Sequence, residues 1–365
     1  MLIRDGRIED VGPTRRIERL NGARSAIEID ATGSVVLPAF VDAVACPVLT
    51  HDGGDLREGG TRAFGSAKRI VLESQALRVL ENMLRHGTAT VEVQSGYGGD
   101  VAGEIRLLRI YRAIKEDPVC LIRSLLVTGE LPDGFTGSVE QFVKLVVIPL
   151  VKVAAARKLA RFVTVIGGDG QLGSTLVREC LEAAQRAKLA TKLQALPGGG
   201  TEAAFLAMEY GATAVSHVEN LSPAAVASLG RSRTMAVLSP GSTYHGEREQ
   251  FAPARALIAA GAAVALATYF SREGSLNYSM PFAMSLACLR MGLTAAEAVA
   301  AATVNAAHAA GCESEVGSLE PGKRGDLALF DCRDYRDVVA SAGVNLVKRM
   351  VRGGKVVYRR GVVGE

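Results

Sequence analysis

The chain has no tryptophan, and aromatic residues make up only 5% of its 365 positions. Large rings therefore cannot dominate its core. Abundant alanine and 40 glycines suit helices packed closely on sheets instead. No Cys-x-x-Cys occurs. The six cysteines, Cys46, Cys120, Cys180, Cys288, Cys312 and Cys332, are scattered, which excludes a compact disulfide framework. They read as free thiols in a cytoplasmic protein. Neither sign of charge prevails: the balance is +4, with Lys and Arg spread along the chain, so no nucleic-acid partner is expected. A long unbroken apolar run is also missing. The longest, residues 142–156, is interrupted by Lys144 and Lys152 and suits a buried helix rather than a membrane span. The opening residues 1–6 lack the charged-then-apolar pattern of a secretory leader.

What is present is a large apolar fraction, 48%, against 22% charged residues. That is a globular composition with material for one large domain and a small one. The organising stretch is residues 35–46, Val-Val-Leu-Pro-Ala-Phe-Val-Asp-Ala-Val-Ala-Cys. It is apolar and β-branched at its start, which reads as a strand buried on both faces. Pro38 lies near its beginning, where a missing N–H costs little.

Eight strand segments follow one another: 36–44, 88–94, 119–127, 162–166, 190–194, 212–217, 235–238 and 263–268. Helical segments lie between them. Ser66 precedes one with Ile70, Leu77, Leu80 and Leu84 on one face, stopped at Gly87. Ser138-Val-Glu-Gln141 and Thr294-Ala-Ala-Glu297 offer capping boxes for two others. Residues 196–201 read as a turn into a helix capped by Thr201. The glycine-rich stretch 167–173 lacks Gly-Lys-(Ser/Thr) and reads as a plain loop rather than a phosphate cradle.

Eight strand–helix units in one block predict an α/β fold, a (β/α)8 TIM barrel over residues 36–315. Asp5-Gly6 marks a hairpin near the N-terminus. Residues 25–29 and 34–37 read as further strands, as do 326–330, 345–351 and 355–359 near the C-terminus. Residues 1–35 and 316–365 are therefore expected to form one small composite β-sandwich.

In such a barrel the working residues stand at the C-terminal ends of the strands. There, Pro38-Ala-Phe-Val-Asp-x-Val-x-Cys46 resembles the first barrel strand of the amidohydrolase superfamily, Pro-Gly-Phe-(Ile/Val)-Asp-x-His-x-His. Residues 90–98, Thr-Val-Glu-Val-Gln-Ser-Gly-Tyr-Gly, resemble the imidazolonepropionase family within it. Ser216-His-Val-Glu219, Met280-Pro281, residues 302–307 and residues 317–323 extend the resemblance in order. It implies metal-dependent opening of a cyclic amide, with two His from strand one, a His from strand five and an Asp from strand eight holding zinc or iron.

The same resemblance places Val44, Cys46, Gln194 and Tyr269 at those four ligand positions. Valine has no donor, and a glutamine amide is a poor ligand for either metal. Tyr269 could ligate only as a phenolate, far from its ordinary pKa of about 10. The family's general base falls on Pro197, and a substrate-contacting His after strand three falls in Val127-Thr128-Gly129. The resemblance further places Tyr97, Ser95, Gly96, His217 and Arg57 around a ligand, with His217 the weak catalytic candidate. A rebuilt thiolate–imidazole site from Cys46, His217 and His245 is an alternative. His51 lies just beyond strand one, and His86 and His308 read as surface or packing residues.

Three functional expectations follow. The first is a pseudoenzyme or small-ligand binder without metal-dependent catalysis and without a cofactor. The second is a divergent hydrolase of cyclic amides or other non-peptide C–N bonds, holding zinc or iron. The third is an oligomeric scaffold whose mouth is filled by Tyr269, Gln194 and Val44. Neither nucleic acid nor membrane is an expected partner. Homodimerisation is implied by the resemblance alone.

Overall fold

A computed structural model describes residues 1–48, 67–96, 100–114, 118–132, 134–168, 172–196, 198–246, 249–271 and 274–361. The chain opens with a hairpin, β1 (Leu2–Arg4) and β2 (Arg7–Asp10). Its turn places Asp5 and Gly6 at φ 50° and 79°. Two successive positive φ values make the two-residue turn that matches strand twist, and Asp-Gly tolerates them.

Next come β3 (Val35–Pro38) and β4 (Phe40–Ala45). The sequence reads residues 36–44 as one strand, but the structure divides it at Ala39. β3 pairs antiparallel with β12 (Leu327–Phe330), whereas β4 enters the barrel. The passage between the two sheets thus falls at Ala39 rather than after Val35. Residues 25–29 are not a strand. Ala23–Ser25 form a single 3-10 turn, and the segment beyond is irregular.

The barrel continues through β5 (Thr88–Gln94), β6 (Cys120–Val127), β7 (Phe162–Ile166), β8 (Ala190–Gln194), β9 (Ala214–Ser216), β10 (Met235–Leu238) and β11 (Val264–Leu266). With β4 they form one eight-stranded parallel sheet in sequential order. It is a (β/α)8 TIM barrel, nearly closed. Among the described residues, only the isolated bridge Ala45–Phe270 and the bond from Cys46 N–H to the Phe270 carbonyl, 2.6 Å, join the two end strands by backbone.

A side chain reinforces that seam. Asp42 of β4 is fully buried and accepts from Thr268 N at 3.1 Å, Thr268 Oγ1 at 2.5 Å and Val44 N at 3.3 Å. Burial pushes its carboxyl up to about 7, although Thr268 and the Val44 amide pull it back.

Alternation along β5 sorts the interior. Ala89, Val91 and Val93 join the core between sheet and helices, leaving Thr90, Glu92 and Gln94 on the opposite face of the strand. The helix Val304–Ala309 closes one end, where Ala306, Ala307 and Ala310 pack with Val41, Ala214, Met235 and Ala265. Alanines let the backbone come close.

The long helix after β5's predecessor loop spans Arg69–Arg85, with Lys68 at its N-cap; Ser66 lies outside the described residues. Leu72, Ala76, Leu80, Met83 and Leu84 form its buried stripe. Ile70 is instead 68% exposed, because its position falls off that stripe. Both predicted capping boxes form, Ser138 with Gln141 and Thr294 with Glu297. After Phe142 the helix loosens into a π-helical stretch, Val143–Val147, before the helix Ile148–Ala156. Pro149 offers no N–H and crowds the preceding turn, which accounts for the wider winding there. The helix Thr201–Glu209 has Gly200 at its N-cap. Thr201 does not cap it. Its hydroxyl bonds the Asn220 carbonyl and accepts from Ser222 N, tying this helix to the loop after β9.

The small β unit is built from both ends. β12, β13 (Val347–Arg352) and β14 (Lys355–Arg359) form a four-stranded sheet with β3. The N-terminal hairpin docks beside it through Ile8 N to Lys323 O and Gly325 N to Gly6 O, both 2.8 Å. Leu327, Leu329 and Val351 are its small core, with Ile3, Val36 and Val356 against them.

Candidate functional site

The C-terminal ends of β8, β9 and β11 bring three of the expected residues together. Gln194 ends β8, His217 follows β9, and Tyr269 follows β11. Gln194 Nε2 donates to the Tyr269 hydroxyl at 2.5 Å. The Tyr269 ring stands edge-on to the His217 ring, with centroids 4.6 Å apart. His217 Nδ1 lies 3.2 Å from Glu219 Oε1. Glu219, His217, Tyr269 and Gln194 thus form one unbroken chain of contacts across the mouth.

Two of its members are strained. His217 and Tyr269 adopt φ 56° and 51°, the left-handed region that side-chain-bearing residues avoid. Such conformations cost on the order of 1–3 kcal/mol each and gather at functional sites. The same cluster leaves polar atoms open. Gln194 Oε1, His217 Nε2 and Glu219 Oε2 are buried without a hydrogen-bond partner. An unmet buried polar group costs about 1–3 kcal/mol. Burial pushes the Glu219 carboxyl up, but the His217 hydrogen bond and charge, with the Glu219 and Gly198 amides, outweigh it. The carboxyl lies below its ordinary range.

Deeper in the barrel lies a charged pair that sequence reading did not single out. Lys192 of β8 bonds Glu92 of β5, and both are buried. Lys192 Nζ also sits 4.5 Å from the centre of the Phe162 ring. Burial raises the Glu92 carboxyl, while Lys192 and the Gln94 amide pull it down. A strand-parity signal existed: Glu92 shares a face with Thr90 and Gln94, and Lys192 shares one with Gln194. Opposite charges on two inward faces call for each other. Glu219 carried a similar signal, standing two residues beyond His217 at a strand end.

The other expected residues are placed as follows. Val44 is buried with Val41, Ala43, Val237 and Ala267, and Tyr269 packs against that apolar set. Cys46 is buried just beyond β4. Ser95 spends its hydroxyl on Leu126 N, 3.2 Å, and its N–H on the Ser124 carbonyl. Gly96 adopts φ 113°, and its N–H donates to Glu104 Oε2 at 2.8 Å. A Cβ there would lie 2.6 Å from Leu126, so only glycine fits the turn. Ser95 and Gly96 therefore shape the loop. Tyr97, Arg57, His51 and Pro197 lie outside the described residues.

His245 ends the helix Pro240–His245 with its side chain exposed. His308 is also exposed, and His86 bonds the Asn82 carbonyl and packs on Tyr278.

Does this mouth fit the zinc or iron that the resemblance implies? Val44 offers no donor, and Gln194 is turned to Tyr269 through its nitrogen. Among the described residues no three His, Cys, Asp or Glu side chains converge as a metal site. Of the residues at the four positions only Cys46 is an ordinary zinc ligand, so among the described residues the set falls short of the three that such an ion needs.

A parallel eight-stranded barrel, a small sheet drawn from both termini and a histidine-bearing mouth define one class. The sequence matches the amidohydrolase family over residues 71–357, and the chain belongs to that family. Along nearly its whole length it is also similar to imidazolonepropionases. It is 35% identical to that of Solibacter usitatus, with 99% of this chain and 91% of the relative covered. For that of Geobacillus kaustophilus the identity is 34%, with 99% and 90% covered. Solved structures agree on the fold. A zinc-bound adenosine deaminase from Xanthomonas campestris has a TM-score of 0.73 at 16% identity, covering 97% of this chain and 87% of that one. An atrazine chlorohydrolase from Arthrobacter aurescens complexed with zinc has 0.74 at 14%, covering 100% and 92%. Among the described residues no helix is long and apolar enough to cross a membrane.

Proposed function

We propose that this chain is an imidazolonepropionase-like barrel that binds a small molecule at its mouth without metal-dependent catalysis. The observation that carries the reading is the bond from Gln194 to Tyr269. Two of the positions the resemblance assigns to metal ligands are occupied by side chains that hydrogen-bond each other. A third, Val44, is part of an apolar layer. Chemistry that polarises a carbonyl and activates water needs ligands of His and carboxylate type. The open polar atoms of Gln194, His217 and Glu219 support ligand binding over a merely filled mouth.

A second reading is favoured by the relatives themselves. Identity of 35% to a protein named imidazolonepropionase supports a divergent hydrolase of cyclic amides or other non-peptide C–N bonds. Turnover of an imidazolone, assayed with and without a chelator, separates the two. The pseudoenzyme reading expects no turnover in either. Turnover abolished by chelation overturns it, and turnover indifferent to chelation establishes a metal-free hydrolase.

A further inference from the structure

We propose that the mouth receives a small planar cation carrying several N–H donors, of the amidinium or guanidinium class. The inference rests on the metal-free reading above and names the chemistry of the ligand. Gln194, His217 and Glu219 are only 3%, 1% and 3% exposed. Each keeps one polar atom without a partner: Gln194 Oε1, His217 Nε2 and Glu219 Oε2. Those atoms share one chemical sense. An amide oxygen and a carboxylate oxygen can only accept. His217 Nδ1 faces a carboxylate oxygen 3.2 Å away, so the ring proton belongs on Nδ1. In the neutral ring Nε2 then carries the lone pair, and a cation bound there selects that form over the imidazolium.

The nearby groups do not reverse that sense, although the Glu219 and Gly198 amides are directed at the Glu219 carboxyl and share its charge. Gln94 Nε2 also lacks a close bond, but its amide is directed toward the Glu92 carboxyl and stabilises that charge. The Ser239 hydroxyl, at the end of β10, is open and can take either role. Gln194 Nε2 is engaged with Tyr269. The mouth therefore offers acceptors and asks for donors. A carbonyl ligand would meet the reverse of what it needs.

Charge selects further. Glu219 supplies a carboxylate, and hydrogen bonds between ionised partners are the stronger ones. Amidinium and guanidinium groups hold their donors in one plane at fixed angles, which suits two oxygens and a ring nitrogen held by neighbouring strands. The Tyr269 ring, edge-on to His217, adds an aromatic surface at the same place.

Thermal denaturation of the full chain with acetamidinium chloride tests this. The controls are acetamide, its neutral isostere, and sodium chloride at equal ionic strength. A saturable rise in Tm is expected with acetamidinium, half-saturating at a concentration at least about ten-fold below that for acetamide. The ring-nitrogen resonances of His217 should move over the same concentrations. Glu219→Gln should raise the half-saturating concentration about ten-fold or more. If that variant does not fold, Gln194→Met should raise it by a smaller factor.

Equal responses to acetamide and acetamidinium, no response to either, or no effect of both substitutions would overturn the cation inference. Each leaves the metal-free reading standing. Zinc chloride that binds stoichiometrically, moves the His217 resonances and displaces acetamidinium would overturn the metal-free reading itself.

Discussion

Two polar regions inside one barrel are treated in opposite ways. At the seam the polar side chain is fully engaged, and in the interior it is charge-paired, although Glu92 Oε1 and Gln94 Nε2 have no hydrogen-bond partner. Asp42 takes three hydrogen bonds from Thr268 and Val44, and Lys192 neutralises Glu92. At the mouth, the cluster of Gln194, His217 and Glu219 keeps a polar atom open on each residue, and His217 and Tyr269 are held at positive φ. Groups that hold a fold together are hydrogen-bonded or paired with an opposite charge, because an unmet one is costly. Groups left open and strained within the same barrel are the ones a ligand can complete. The contrast teaches where structure ends and function begins within one barrel.

The comparison can be broken most forcefully at the interior pair. Lys192→Met leaves Glu92 buried without its partner and should cost about 3–5 kcal/mol in denaturant unfolding. A loss below about 1 kcal/mol would show that the pair holds nothing together.

The seam offers a pH test. The Asp42 carboxyl is raised from 3.8 to about 7 in the fold. A raised acid contributes stability that is fully present below its unfolded pKa and is lost as pH rises through its folded one. The wild type should therefore lose stability relative to Asp42→Asn between about pH 4 and 7, by about 4 kcal/mol in all. Parallel stability curves for the two proteins would contradict this.

At the mouth, by contrast, Gln194→Leu removes an already open acceptor along with one hydrogen bond. It should change stability by less than about 1 kcal/mol, because the two effects oppose each other. A loss as large as that for Lys192→Met would erase the distinction between the regions. Smallest in mechanism, and a control away from both, Thr294→Ala removes a helix cap and should cost about 1 kcal/mol.

Much of this architecture was legible in the residues. Strands 88–94, 162–166, 190–194, 235–238 and 355–359 are found with the bounds that alternation and apolar runs suggest. Both capping boxes are local patterns, closed within one turn, and so they survive folding unchanged. What was not legible depends on tertiary context. The apolar run around Ala39 gives no local sign that β3 and β4 belong to different sheets, because both are apolar, although β3 is only half-buried and β4 fully so. Ile70 fits a helical stripe by spacing, yet the stripe is set by what the helix meets.

The site divides in the same way. Strand ends could be read from the pattern, and the resemblance singled out Gln194, His217 and Tyr269 there. Their bond and ring contact come from β8, β9 and β11 converging, which no single segment announces. Glu219 and the Glu92–Lys192 pair needed strand parity read across distant segments.

The account turns on whether the mouth holds a catalytic ion. Elemental analysis of wild-type protein purified without chelators tests it most directly, before and after incubation with zinc and with iron. Substoichiometric metal in both states is the predicted result. One tightly held ion per chain, lost together with a shift of the His217 resonances on chelation, would contradict it.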